Sequence, residues 1–401
     1  MKPFGNLISF EEAREIVDRH VLPVGAVEYM PIDASLERVA AEDIVALHNT
    51  PPFDRAGVDG FAVIAADTRG AALGNPVRLA LRECLYAGSV PGEVKLAPGS
   101  AIGICTGAEM PPGADAVVMV EDTSSADGYV NIFRSVSPLG SVGLKGEDIR
   151  KGERVIEKDK MLDAGKIGVL ASQGLTHVLV YRKPRVAVMP TGEEIIDIGK
   201  PLGRGQLYDI NSHTLAAVIR GSGGEPVVFP ITGDSLEAVR ASLDKALSAD
   251  MVVTSGGSSM GEKDLIINVL EECGEVFFHG IRIKPGKPTT FAVVGGKPVL
   301  GMPGYPTSCL LNAHLLLGPA VRKMARLAPR RGLTEKAILA ERVSAGSGRQ
   351  RFQTVALDGH MARPIIKESG AITGTARADG YIVVPEDTVI EQGHEVTVNF
   401  F

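Results

Sequence analysis

The sequence predicts a multidomain α/β plus β protein: a central α/β domain with a mostly parallel sheet, an inserted β module and a barrel-like C-terminal β domain. Three observations carry this. The chain has 401 residues, more than one hydrophobic core usually organises. Short β-branched and apolar runs broken by Gly and Pro fill two stretches, about 51–140 and about 332–401. Between them, over about 185–328, strand-like runs alternate with helical ones, the pattern of a parallel sheet with crossover helices.

Taken in order, Ser9 with Glu12 makes a capping box, and apolar residues at helical spacing through Val17 and Val21 predict a helix over about 10–20. A second helix is expected after Asp33, through Leu36 and Val39. The β module is read from runs such as 77–81 and 116–120. In the α/β part the strand runs are 186–189, 251–254 and 298–301, and the helical stretches are 212–220, 235–247 and 265–272. Turns at Asp358-Gly359, Asp379-Gly380 and Gln392-Gly393 divide the tail. The expected domains are 1–50 with 141–182 as one discontinuous linker domain, 51–140, 183–328 and 329–401.

Composition excludes several classes. At 44% hydrophobic and 22% charged residues the chain is neither disordered nor fibrous, and its net charge of -6 argues against a general nucleic-acid binder. Cys84, Cys105, Cys273 and Cys309 lie far apart without a C-x-x-C pair, so neither a zinc knuckle nor a disulfide framework is indicated. A reducing compartment fits. No apolar stretch approaches the roughly 18 residues of a membrane span, and no basic segment followed by an apolar run opens the chain, so a cytoplasmic address is expected.

In open parallel sheets ligands bind beyond the carboxyl ends of the strands, so the loops there matter most. They read Thr191-Gly192-Glu193-Glu194, then Ser255-Gly256-Gly257-Ser258-Ser259-Met260-Gly261-Glu262-Lys263-Asp264, then Gly301-Met302-Pro303-Gly304-Tyr305-Pro306-Thr307-Ser308. Glycine lets backbone N–H groups approach an anion, and a following helix adds partial positive charge, so a phosphate-bearing ligand is expected. For any one loop, tight turns explain the glycines equally well. No G-x-G-x-x-G follows the first strand, and Gly286-Lys287 precedes Pro288 rather than Ser or Thr, which removes the standard Rossmann and P-loop sites.

Lys284-Pro285-Gly286-Lys287-Pro288 sets two ammonium groups on a stiffened turn, suited to an oxyanion or simply to water. Asp59 in Val58-Asp59-Gly60-Phe61 and Asp148 after Gly146-Glu147 suit Mg²⁺ on a phosphate, though each equally suits a turn. The eight histidines show no metal-ligand spacing, and Cys105, beside Thr106-Gly107, is expected to be a buried small hydrophobe.

Together these segments resemble the molybdopterin molybdenumtransferase family, the bacterial MoeA enzymes and the E domain of gephyrin. The resemblance runs nearly end to end, through Asp59-Gly60-Phe61-Ala62, Thr106-Gly107-Ala108, Gly146-Glu147-Asp148, Thr191 to Glu194, Tyr208-Asp209-Ile210-Asn211-Ser212, Ser255 to Asp264, Lys284 to Pro288 and Pro303-Gly304-Tyr305-Pro306. It implies an elongated homodimer of four-domain protomers, with the discontinuous domain for dimerisation and the α/β domain binding nucleotide and pterin. The implied reaction inserts molybdate into adenylylated molybdopterin, releases AMP and uses Mg²⁺. Implied partners are a molybdopterin adenylyltransferase and acceptor apoenzymes, with no nucleic acid and no membrane.

Carried onto this sequence, the resemblance makes Asp59, Asp148, Glu194, Asp234 and Asp264 the catalytic carboxylates, with Asp59, Asp148, Glu194 and Asp264 as metal ligands. Lys284, Lys287, Thr106 and Thr191 would hold oxyanions. Gly192, Gly256, Gly257, Ser258, Ser259, Pro303 and Pro306 would shape the nucleotide cradle. The chain departs from the family pattern at Ala56-Gly57-Val58, which lacks two hydroxyls, at Ser141-Val142-Gly143, which lacks an Arg, and at Tyr305 in place of Asn. These changes bear on whether molybdate or tungstate is taken. A catalytically silent carrier or scaffold, and an unrelated α/β sugar or nucleotide enzyme, are the alternatives.

Overall fold

A computed structural model describes residues 7–92, 95–256, 265–330 and 332–401. The hydroxyl of Ser9 accepts from the Glu12 N–H at 3.1 Å and caps α1 (Phe10–His20), which buries Phe10, Ala13 and Val17 along one face. The second expected helix does not form; only the 3-10 turn Ile32–Ala34 stands there. The Ser35 hydroxyl donates back to the Ile32 carbonyl at 2.6 Å, Glu37 takes a left-handed φ of 60°, and Leu36 is exposed. A left-handed residue stops a right-handed helix, and an exposed Leu36 gives it no buried face to pack.

The described chain forms two compact units: residues within 1–28, 37–39 and 180–401, and residues 29–36 with 40–179. Among the described residues no helix is long and apolar enough to cross a membrane.

The second unit holds a six-stranded sheet of β1 (Gly60–Val63), β2 (Val77–Leu85), β3 (Ser100–Ile104), β4 (Ala116–Met119), β5 (Thr123–Ala126) and β6 (Tyr129–Ile132). The order is β4-β1-β3-β2-β6-β5, antiparallel except for β2 beside β3. Alternate residues feed two cores. Val63, Leu79, Ala101 and Val118 face one, while Ala62, Leu85, Ile102 and Val117 face the other. Two covered faces make the strands read as continuous apolar runs. Helix α2 (Ala164–Ser172) is capped by Asp163, which accepts from the Lys166 N–H at 2.9 Å.

In the first unit lies a sheet of β7 (Arg185–Pro190), β8 (Glu225–Val228), β9 (Met251–Ser255), β10 (Gly274–His279), β11 (Thr290–Val294) and β12 (Lys297–Met302). Its order is β8-β7-β9-β12-β11-β10. The pairs β8–β7, β7–β9 and β9–β12 are parallel, but β12–β11 and β11–β10 are antiparallel, so the sheet is mixed. Helices α3 (Asn211–Gly221), α4 (Leu236–Ala246), α5 (Leu265–Cys273), α6 (Pro306–Asn312) and α7 (Gly318–Met324) cover it. Val186, Val188 and Val253 pack with residues of α1, α3, α6 and α7, whereas Ala187, Met189 and Val252 pack with α4 and α5.

The tail folds as β13 (Thr334–Leu339), β14 (Gln350–Asp358), β15 (Met361–Pro364), β16 (Gly380–Val384) and β17 (Glu395–Phe400). They run β14-β15-β13-β17-β16, and β16 pairs again with β14, closing a barrel. Turns form at Asp358-Gly359 and Gln392-Gly393, but Gly380 opens a strand instead. A Cβ there would stand 2.2 Å from the Asn399 carbonyl oxygen, so this glycine serves close strand approach.

Candidate functional site

The carboxyl ends of β7, β9 and β12 converge through contacts that require glycine. Thr191 donates its N–H to the Ser255 carbonyl at 2.9 Å and pairs with Thr232 in a parallel bridge. Gly256 has φ +89°, and its missing Cβ would stand 2.4 Å from the Thr191 carbonyl oxygen. Gly304 reaches the same place, with its absent Cβ 3.6 Å from the Gly256 Cα. Asn211, at the start of α3, donates from Nδ2 to the Gly304 carbonyl at 2.8 Å. Three loops far apart in sequence thus meet at these strand ends, with glycine at each close approach.

Two expected carboxylates border this meeting point. Gly192, with φ +136°, lies against Glu194, whose Oε1 would be 2.8 Å from a Cβ at that glycine. Asp234 accepts from the Glu193 N–H at 3.4 Å, and both Glu194 and Asp234 are exposed. Asp209 and Asn211 belong here although sequence reasoning gave them no role. Asp209 is buried and accepts from the Ser212 N–H at 3.0 Å, a spacing readable as a helix cap. Burial pushes the Cys309 thiol far above its usual range, and the charge of Asp209 adds to that. Asn211 Oδ1, Ser212 Oγ and Thr254 Oγ1 are buried and find no hydrogen-bond partner among the described residues. Buried polar atoms are rarely left so, and here they flank the strand ends where a polar ligand is expected.

The third loop leads into α6, with Pro306 as its first residue. Thr307 donates its N–H to the Ser369 carbonyl and its hydroxyl to the Ala371 carbonyl, both at 3.0 Å. Tyr305 is 67% exposed and lies beside Gly370. The segment before β16 therefore docks on the loop of Pro303 and Pro306, a contact no local pattern announces. Gly257, Ser258, Ser259 and Asp264 lie outside the described residues.

Lys284 pairs with Arg351 through the short strand Ile283–Lys284, and its side chain is exposed. Gly286 has φ +106° and sits directly on Asn312; a Cβ there would be 2.4 Å from Asn312 Nδ2. Asn312 donates to the Gly286 carbonyl at 3.1 Å and the Thr289 hydroxyl at 2.6 Å, while the Lys287 carbonyl accepts from Ile281 and Thr289 at 2.9 Å each. The lysine turn is thus built on one buried amide that sequence reasoning did not single out.

In the second unit, Asp59 and Thr106 meet across 47 residues. Thr106 gives its N–H at 2.7 Å and its hydroxyl at 2.9 Å to Asp59 Oδ1. The backbone donor first and the hydroxyl second hold the carboxyl below its ordinary range, against a small opposing effect of burial. Gly60 makes this possible, since a Cβ there would lie 1.9 Å from the Val118 carbonyl oxygen. Asp148 is exposed, with its N–H donating to the Thr50 carbonyl at 3.1 Å. Cys105 is half-buried rather than buried, because its position lies just beyond β3 at the sheet's end.

Among the described residues no group of three or more His, Cys, Asp or Glu is placed to hold a metal ion. Exposed carboxylates such as Glu194 nonetheless suit Mg²⁺, which takes one or two protein carboxylates and completes its shell with water and substrate phosphates. His314 is structural: burial first, and Arg330 second, lower it to about 4.

Comparison with known proteins adds to this geometry. Residues 8–174 match the MoeA N-terminal region (domain I and II), 187–323 a "Probable molybdopterin binding domain", and 336–401 the MoeA C-terminal region (domain IV). The chain is 33% identical to the molybdopterin molybdenumtransferase of Staphylococcus epidermidis, covering 89% of this chain and 87% of that one. It is 31% identical to the enzyme of that name from Bacillus subtilis, covering 94% and 91%. A crystal structure of the molybdopterin biosynthesis MoeA protein from Pyrococcus horikoshii superposes with a TM-score of 0.85 at 41% identity, over 98% of this chain and 99% of that one.

Proposed function

The chain belongs to the molybdopterin molybdenumtransferase family, and from that premise we propose that it inserts molybdate into adenylylated molybdopterin and releases AMP. The meeting of Thr191, Gly256 and Gly304 at the strand ends supports this reading, because glycine there lets backbone approach an anionic nucleotide closely. Cleaving a pyrophosphate needs positioning and neutralisation of oxygen charge rather than a covalent nucleophile. In the first unit Lys284, Lys287 and Thr191 would hold phosphate or molybdate oxyanions, and in the second Thr106 is the candidate for that role; Gly257, Ser258, Ser259, Pro303 and Pro306 would complete the cradle of the first. Mg²⁺ would neutralise pyrophosphate oxygens, and each unit offers carboxylates of the kind that hold it, Glu194 and Asp264 in the first and Asp59 and Asp148 in the second, while Asp234 is a further acidic candidate of the first unit.

In this reading the protein works as a cytoplasmic homodimer with the four-part division 1–50 with 141–182, 51–140, 183–328 and 329–401. A molybdopterin adenylyltransferase supplies its substrate and apoenzymes take its product. The test incubates purified protein with adenylylated molybdopterin, Mg²⁺ and molybdate or tungstate, following AMP release and cofactor formation. Turnover with molybdate supports the reading, and faster turnover with tungstate makes the chain a tungstate-preferring homologue. Binding without AMP release identifies a carrier or scaffold, and no binding overturns the proposal.

A further inference from the structure

Two of the four cysteines come together on the sheet of the second unit, outside any role given above. Strands β2 and β3 run parallel, with Cys84 opposite Gly103 and Leu85 opposite Ile104. The ladder continues one step, since Cys105 donates its N–H to the Leu85 carbonyl at 3.0 Å. Side chains alternate between faces, so Cys84 and Tyr86 share a face with Gly103 and Cys105. Gly103 leaves that face open, and the Cβ it lacks would stand 3.0 Å from Cys84 Sγ. The Cys84 thiol therefore lies over the glycine, on the face that Tyr86 and Cys105 share. Cys84 is exposed, Cys105 partly so, and Tyr86 is 60% exposed, so solutes reach all three.

Spacing decides what this pair does. Cys105 lies two residues beyond the partner of Cys84, about 4.8 Å sideways and about 6.6 Å along the strand, hence roughly 8 Å between Cα atoms. A disulfide requires Cα atoms within about 7 Å and closely approaching Cβ atoms, so it does not close at this register. Two sulfur–metal bonds of about 2.3 Å each lengthen the bridge enough to span it. Burial first, and the neighbourhood of Cys84 and Asp59 after it, raise the Cys105 thiol above its ordinary range.

We propose that Cys84 and Cys105 form a two-sulfur site for one soft, monovalent, thiophilic cation of the Cu(I) class, flanked by the Tyr86 hydroxyl. Thiolates select such ions over the hard cations that carboxylates take. On binding, each thiol releases its proton to solvent and each sulfur donates an electron pair to the metal, with no change in oxidation state. Cys105 directly precedes Thr106, whose two donors hold Asp59, so the ion also tethers that segment.

The experiment titrates full-length protein with Cu(I) under anaerobic reducing conditions against a chromophoric Cu(I) chelator. One equivalent is expected to bind, with loss of that binding in Cys84→Ser and in Cys105→Ser and retention in Cys273→Ser. X-ray absorption is expected to find two sulfur neighbours. Uptake unchanged in either of the first two variants, or a single sulfur neighbour, overturns the site. Should a serine variant fail to fold, alkylation of the wild type decides: bound Cu(I) protects both Cys84 and Cys105, and labelling that Cu(I) leaves unaltered refutes the proposal. So does a Cys84–Cys105 disulfide formed quantitatively by mild oxidation, because it breaks the spacing argument.

Discussion

Thr106 directs both its backbone N–H and its hydroxyl at one carboxylate oxygen of Asp59, at 2.7 and 2.9 Å. Replacing Thr106 by Val removes only the hydroxyl. The Asp59 carboxyl is then expected to titrate at higher pH than in the wild type while staying below its ordinary range, because the backbone donor remains. Carbon-detected NMR titration reads this directly. AMP release is expected to fall with it, and an Asp59 titration that does not move removes the hydroxyl from the account.

Gly256→Ala should be far more costly than Gly233→Ala. At position 256 a Cβ would stand 2.4 Å from the Thr191 carbonyl oxygen on a backbone at φ +89°, whereas at 233 no atom of the described residues lies within 4 Å. The first is expected to destabilise by about 2–4 kcal/mol and the second by less than about 0.5 kcal/mol. Denaturant midpoints measure the contrast, and equal midpoints would contradict the close packing of the two loops.

How much of this could be read beforehand depended on whether a feature was local. Ser9 with Glu12, and the apolar runs of β7, β9 and β12, announced themselves within a few residues. The left-handed Glu37 did not, since nothing marks a non-glycine residue for that conformation. Nor did the antiparallel strands β10 and β11, whose apolar composition matches that of buried parallel strands. Within the candidate site, Asp59 was identifiable as a residue, but its clamp by Thr106 follows from the register of β1 against β3. Asn312 reads as an ordinary helix residue until the lysine turn folds over it.

Asn312→Ala leaves both lysines in place and removes the amide beneath their turn. The lost donors to Gly286 and Thr289 should cost about 1–3 kcal/mol of stability. If the turn positions the ammonium groups, the molybdate concentration needed for half-maximal AMP release rises as well, as it does in Lys287→Gln. An unchanged molybdate dependence in a folded Asn312→Ala protein would separate the amide from oxyanion binding.

His314 supplies a pH signature. Its folded value of about 4 lies below the ordinary 6.5, so the unfolded chain binds the extra proton and stability falls as pH drops from about 6.5 to about 4, then levels for this group. The loss amounts to about 3 kcal/mol at most. His314→Gln should flatten the stability profile across that window, and a slope that persists unchanged would assign the acid sensitivity to other groups.

The C-terminal barrel closes because β14 pairs with both β15 and β16. A ring has no outermost strand, and the start of β14 is already paired with Ile283–Lys284, so little backbone is left along which a foreign strand could be added, either by a partner or by a misfolded copy. The sheet of the second unit differs in this respect, since β4 and β5 end its row. Self-association through strand addition would therefore start there rather than in the tail, and the two sheets of one chain carry unequal aggregation hazards despite similar strand content.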